Sequence, residues 1–274
     1  MRSDIMYPYL LPEIFGHTIP LYDFMIGVGI LAMLFFVARR LEKIDQRTRS
    51  QSNRLLVLLC VASLFALLSS FIIDGIFHSI KQGEPTFGTI SFLGGLIGGI
   101  ACLLVMLKFI YKEPNKNIKQ TMNTIIIGVV LAHAFGRIGC FLAGCCYGIP
   151  TDSFLGVVFP FGHAHEAFPD TKIFPTQLFE ALFLFALFAF LSNAKKIRGF
   201  EVEFYLISYG IWRIMIELIR GDDRGSFIGF ITTEYNVFPT PSQYISLLMV
   251  LGGMFLWFRT RKRIHADQTQ NISQ

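Results

Sequence analysis

Seven stretches of the chain run almost free of charge, at roughly 20–38, 54–74, 90–110, 120–142, 176–192, 200–219 and 242–258. Each approaches the ~20 apolar residues that an α-helix needs to cross the hydrocarbon of a bilayer. Polar residues interrupt the fourth and sixth, and the fifth is short. The pattern predicts an all-α integral membrane protein, a polytopic bundle of about seven transmembrane helices forming a single domain over residues 1–274. No soluble domain remains once the spans are removed. The opening residues MRSDIMYPYLLPEIFG show no basic region followed by an apolar core and a cleavage site, so no cleavable signal peptide is expected.

Composition agrees. Hydrophobic residues make up 53% of the 274 and charged residues only 16%, where a soluble domain carries about a quarter charged. The location of the charge matters more than its sum. Segments 39–54, 108–119, 193–199 and the tail from 259 hold 17 of the 24 Lys and Arg. The alternate segments hold only Arg2, Lys81, Lys172, Arg220 and Arg224. The positive-inside rule then puts the N-terminus outside and the C-terminus in the cytoplasm. Loop flanks explain the basic runs, so nucleic acid is not an expected partner.

Orientation gives each polar residue a depth. Tyr22 and Asp23 open the first span, Gly94 and Gly95 the third, and Gln177 and Glu180 the fifth. His133 and Arg137 lie toward the end of the fourth, Arg213 and Glu217 toward the end of the sixth. All of these converge on the outer-leaflet side. Tyr205, Tyr209, Arg213 and Glu217 recur every four residues and so form one stripe. His133 and Arg137 share a face by the same spacing. A charge at mid-bilayer costs ~2.5–3.5 kcal/mol on insertion scales, so it normally faces a partner or a wet cavity. An Arg213–Glu217 pair that merely joins helices is one reading. One glutamate cannot neutralise two arginines, however. A surplus of cation in a low-dielectric cavity suits a phosphate, which arginine grips as a fork, and a phospholipid headgroup is the phosphate available at that depth.

Smaller features stay open at this stage. The run GGLIGG at 94–99 serves close helix packing or lets backbone approach a ligand. Pro175-Thr176 and Pro241-Ser242 each read as a helix start with a hydroxyl N-cap, with Gln177 and Gln243 either bystanders or site residues. Cys60 and Cys102 sit in apolar stretches as core fillers. Cys140, Cys145 and Cys146 cluster in GRIGCFLAGCCYG. A metal site with His133 is conceivable there, though CxxxxCC lacks paired CxxC spacing. A Cys145–Cys146 disulfide would strain the backbone, because adjacent α-carbons lie ~3.8 Å apart and disulfides prefer ~5.5–6 Å. Cys140 with either of the others is the easier pair. His163 and His165 read as surface residues; Asp74 and His78 are ambiguous.

The stretch GRIGCFLAGCCYG resembles the glycine-rich signature of bacterial phosphatidylglycerol–prolipoprotein diacylglyceryl transferases. SFLGGLIGG, PTQLFEAL, YGIWRIMIELIR followed by Asp222-Asp223, and PSQYISLL resemble that family's other motifs in its order, over nearly the whole chain. The resemblance implies a multi-pass enzyme of the bacterial plasma (inner) membrane. Such an enzyme moves diacylglyceryl from phosphatidylglycerol to the lipobox cysteine thiol of a preprolipoprotein signal peptide. Glycerol phosphate leaves, with no metal and no soluble cofactor. By position, Arg137, Arg213 and Glu217 would be catalytic, with His133 a candidate base. Tyr22, Gly94, Gly95, Gly136, Gly139, Gly148, Gln177, Glu180 and Tyr209 would contact substrate. Three positions depart from the pattern: Leu93 stands where histidine is common, Cys140 for asparagine and Cys145 for glutamate. The expected place for a base on the incoming thiol is therefore empty, and a thiol of pKa ~8.5 is only a few per cent ionised at neutral pH. Rival readings are non-catalytic binding or transport of an anionic phospholipid, and diacylglyceryl transfer to another acceptor. A thiol-redox protein would need a CxxC-like pair that is absent.

Overall fold

The computed structural model describes residues 9–14, 17–82, 92–111, 118–222 and 230–272. Within the described residues every apolar run becomes a helix, and one short helix lies between runs. In chain order the helices are α1 (Leu21–Lys43), α2 (Arg49–Gln82), α3 (Phe92–Phe109), α4 (Ile118–Leu142), the short α5 (Gly162–Ala167), α6 (Thr176–Asn193), α7 (Glu201–Ile216) and α8 (Pro241–Ile272). Among the described residues, five helices are long and apolar enough to cross a membrane: α1, α2, α4, α6 and α8. A shorter apolar stretch, Gly94–Phe109, lies in α3. The 16 residues of α7 include Glu201, Glu203 and Arg213, which lowers its hydropathy. Short antiparallel pairs, unforeseen in the hydrophobic pattern, join β1 (Tyr9–Ile14) to β2 (His17–Pro20), β3 (Val157–Val158) to β4 (Lys172–Ile173), and β5 (Ile231–Thr232) to β6 (Val237–Phe238).

Two compact units divide the chain. One holds residues 30–124. In it α2 and α3 pack through small residues, as GGLIGG allows. A Cβ on Gly94 would meet Ile73 Cβ at 2.9 Å, and one on Gly99 would meet Ala66 Cβ at 2.8 Å. Gly95 faces the Ala66 carbonyl and Ser70. Arg47 ties the helix ends together, donating from Nη1 to Tyr111 at 2.7 Å and from Nη2 to Thr121 at 2.6 Å. The side chains of Asp74, His78 and Leu93, and all of Asp223, lie outside the described residues.

The other unit holds residues up to 29 and from 125 onward. Its polarity is inverted relative to a water-soluble protein. Leu182, Leu248 and Phe255 are 71%, 68% and 63% exposed, whereas Gln177 and Glu180 are wholly buried and Glu217 is 1% exposed. Large apolar side chains facing outward in such numbers require an apolar surround. A small cluster of Tyr147, Phe159, Ala164 and Ile173 fixes the connection between α4 and α6.

Helix starts differ from the N-cap reading. Thr240, not Ser242, caps α8. Its hydroxyl accepts from Gln243 N at 3.3 Å while Gln243 Oε1 accepts from Thr240 N at 3.0 Å, a reciprocal capping box with Pro241 in the first turn. At α6 the capping position is Pro175, without a side-chain bond, and Thr176 donates instead to the Cys146 carbonyl at 2.8 Å. The hydroxyls of Thr176 and Ser242 are thereby available for tertiary contacts.

Candidate active site

Three helices, α4, α6 and α7, converge on one carboxylate. Period-four spacing lines up Tyr205, Tyr209 and Arg213 on α7, with Glu217 in the 3-10 turn that follows. The Tyr205 and Tyr209 rings stack 5.5 Å apart. Tyr209 donates its hydroxyl to Glu180 Oε1 at 2.8 Å. The other oxygen, Oε2, faces Arg137 Nε at 3.1 Å and Arg213 Nη1 at 3.6 Å. Glu217 Oε2 takes Arg213 Nη2 at 2.7 Å, and its Oε1 accepts from Thr240 Oγ1 at 2.8 Å. Ser242 completes the set, accepting from Arg213 Nε at 2.9 Å.

This network corrects the charge argument. Two carboxylates, not one, serve the two arginines, so no surplus cation arises from these four groups. Glu180 projects from an apolar run of α6, and only the packing of α4, α6 and α7 reveals that it lies between both guanidinium groups. The arginines are consequently unequal. Arg213 reaches Ser242 through Nε and Glu217 through Nη2, and more distantly Glu180 through Nη1 at 3.6 Å, so it links α6, α7 and α8. Arg137 approaches Glu180 most closely through Nε. Among the described residues its two terminal nitrogens meet no acceptor, and its side chain keeps 11% exposure. Beside it, a Cβ on Gly136 would meet no described atom within 4 Å. An open fork next to free volume is what an incoming oxyanion needs.

The remaining predicted residues surround this pair or brace it. His133, one turn before Arg137, packs edge-on to the Tyr209 ring with centroids 5.1 Å apart. Gly139 packs on the start of α1, where a Cβ would lie 3.3 Å from Tyr22 Cδ2. Gln177 donates from Nε2 to the Cys145 carbonyl at 2.6 Å, so PTQL clamps the signature loop through Thr176 and Gln177 together. Gly148 marks a crossing of backbones: a Cβ there would fall 2.6 Å from the Phe174 carbonyl and 2.8 Å from that of Ile219. Gly94 and Gly95 belong to the 30–124 unit, and helix packing accounts for both. Two further residues were not singled out for this region. Arg220, 1% exposed, forms a two-point pair with Asp222 through Nε at 2.8 Å and Nη2 at 2.7 Å.

The cysteines are free thiols, so the expected Cys140 disulfide is not formed. The sulfur atoms of Cys140, Cys145 and Cys146 nevertheless lie within 4.8 Å of one another, and His133 is not part of that group. Cys146 is held below the usual thiol range, first by hydrogen bonds from Cys140 and Cys145 and then by the charges of Arg220 and Arg137. His165 bonds the Phe159 carbonyl at 3.0 Å and His163 pairs with Glu166 in the open, both ordinary surface arrangements.

An apolar exterior around buried, mutually paired charges defines an integral membrane protein with a polar interior site. The family model described as prolipoprotein diacylglyceryl transferase matches residues 10–259. The chain belongs to that family. It is 34% identical over 263 residues to phosphatidylglycerol–prolipoprotein diacylglyceryl transferase 2 of Clostridium perfringens, covering 90% of this chain and 93% of that protein. The phosphatidylglycerol–prolipoprotein diacylglyceryl transferase of Clostridium tetani is 32% identical over 254 residues, covering 90% and 96%. That of Dehalococcoides mccartyi is 26% identical over 253 residues, covering 90% and 92%.

Proposed function

We propose that this protein transfers diacylglyceryl from phosphatidylglycerol to a prolipoprotein, the acceptor being the lipobox cysteine thiol and the leaving group glycerol phosphate. It would do so as a single multi-pass domain of the bacterial plasma membrane, with seven spans, the N-terminus outside and the C-terminus in the cytoplasm. The observation that carries the reading is Arg137, paired with Glu180 yet open at its fork, in a chain whose residues 10–259 match the family. In this reaction a thiolate attacks a glyceryl carbon and a phosphate monoester departs. Negative charge grows on the departing oxygens, and a preorganised guanidinium stabilises that growth without reorganising. Arg137 is the group for that role. Arg213 and Glu217 hold Glu180 and the helix ends in register, while Tyr22, Gly136, Gly139 and Gln177 shape the approach.

Mass spectrometry of a lipobox peptide incubated with purified protein and labelled phosphatidylglycerol tests the proposal. A peptide heavier by one diacylglyceryl group, with glycerol phosphate released in equal amount, is the expected product. The balanced charge of Arg137, Arg213, Glu180 and Glu217 favours one competing reading, a static network in a lipid-binding protein. Saturable binding of phosphatidylglycerol without a mass change would establish that alternative.

A further inference from the structure

The turn after α4 spends conformational strain to bring three sulfurs together. Gly144 and Cys146 both adopt left-handed backbone, at φ +64° and +61°. Glycine does this freely, whereas a side-chain-bearing residue meets its own carbonyl. The turn is nonetheless pinned on every side. Cys145 N donates to the Cys140 carbonyl at 3.1 Å, Ala164 N to that of Gly144 at 2.9 Å, Gln177 to that of Cys145 at 2.6 Å and Thr176 to that of Cys146 at 2.8 Å. The outcome is a triangle of thiols with every pair of sulfurs within 4.8 Å. Three sulfurs sharing one cation at about 2.3 Å each stand about 3.8–4.0 Å apart, so the triangle needs little adjustment to close on a metal. Nothing in the charge network of Glu180 uses it.

The surroundings suit a thiolate centre. Three thiolates with a divalent cation retain one net negative charge. Arg220 Nη1 is buried and has no partner among the described residues, its other nitrogens being spent on Asp222. Soft sulfur donors select d10 cations over hard ones such as Mg2+. The ligand count carries further information. No fourth cysteine, histidine or carboxylate joins the group among the described residues. Cys145 and Cys146 retain partial exposure. Closed structural sites take four protein ligands, while reactive ones leave a position open.

We propose that Cys140, Cys145 and Cys146 form a three-thiolate site for Zn2+, and that its open fourth position receives the acceptor thiol. The second half rests on the reaction proposed above; the first half stands without it. A thiol bound to such a cation is deprotonated outright, its proton passing to water. The sulfur then forms a bond to the glyceryl carbon as the carbon–oxygen bond to phosphate breaks, and the phosphate monoester leaves as an anion. Nothing is oxidised or reduced, and the cation stays on its three cysteines. This would supply the activation that no base supplies at the expected place.

Co2+ titration of the reduced, chelator-stripped full-length protein in detergent is the test. We expect sulfur-to-cobalt charge-transfer absorption saturating at one ion per chain and displaced by Zn2+. Cys140→Ser, Cys145→Ser or Cys146→Ser should each weaken binding by at least the about 10–100-fold that loss of an outer-shell partner causes. Cys60→Ser and Cys102→Ser should leave it unchanged. A lipobox peptide should then alter the spectrum and its serine counterpart should not. Failure of the wild-type protein to bind stoichiometrically, or full binding by the triple serine variant, would overturn the site. Binding of Co2+ with no response to the cysteine peptide would overturn the fourth-position assignment. Spectral response without any transfer of lipid would support the site and count against the proposed reaction instead.

Discussion

Glu180→Gln is the sharpest probe of the charge network. The substitution keeps volume and keeps an oxygen for the Tyr209 hydroxyl, but removes the negative charge that Arg137 and Arg213 share. Arg213 then keeps only Glu217, and Arg137 keeps no paired carboxylate. Removing one partner of a buried pair costs about 3–5 kcal/mol, because the other charge stays buried and uncompensated. In a chain of this size each kcal/mol moves the midpoint by about 2–4 °C, so Tm should fall by roughly 6–20 °C. Intrinsic fluorescence reads this directly, since Trp212 stacks on Phe183 across α6 and α7 with centroids 4.4 Å apart. If the role is charge compensation, adding Arg137→Gln should restore part of the lost stability while transfer stays absent. A single variant within about 2 °C of wild type, or a double variant whose losses simply add, would refute the network as drawn.

Transfer activity should vanish in Arg137→Ala and Arg213→Ala, measured by peptide mass, and return only slightly in the lysine variants, which lack a planar fork. Near wild-type turnover by either alanine variant would remove that arginine from the mechanism. Because Arg213 contacts Glu180, Glu217 and Ser242 whereas Arg137 contacts Glu180, Arg213→Ala should also lower Tm by more than Arg137→Ala in the same fluorescence assay. Gly148→Ala should cost about 1–3 kcal/mol of stability, since its methyl would press into two carbonyls; unchanged thermal unfolding would contradict the crossing at that position. Single-cysteine labelling in intact cells should find position 49 protected and position 163 reactive, and the reverse pattern would invert the proposed topology.

What the sequence made legible follows from how local each signal was. The apolar runs became helices because a bilayer-length hydrophobic segment leaves few alternatives. The Tyr205–Glu217 stripe was visible because a four-residue period is a property of one helix. Glu180 was placed at the right level but its partners were not, because pairing across α4, α6 and α7 depends on rotations that no single run encodes. A carboxylate inside PTQLFEALFLF was itself the available signal: a charge in so apolar a stretch must find a cation. The cap readings failed for a related reason. Thr240 sits one residue before the motif that drew notice, and once it takes the cap, Ser242 is free to bond Arg213.

The cysteine triangle shows the same limit from the other side. CxxxxCC does not match paired metal spacing, and in a helix or strand these residues would not meet at one point. They meet because Gly144 and Cys146 reverse the chain within three residues, and because Thr176 and Gln177 from α6 hold the reversed carbonyls. The conformation at Cys146 costs free energy that a glycine would avoid. A strained residue persists only where its surroundings over-determine it, and such residues gather at sites of function. The test of that reasoning is Cys146→Gly. It relieves the backbone while deleting one sulfur, so the protein should hold its thermal stability, within the few tenths to ~1 kcal/mol that glycine gains or loses in loops, yet lose Co2+ binding as fully as Cys146→Ser. Retained binding would show that the turn serves the fold alone.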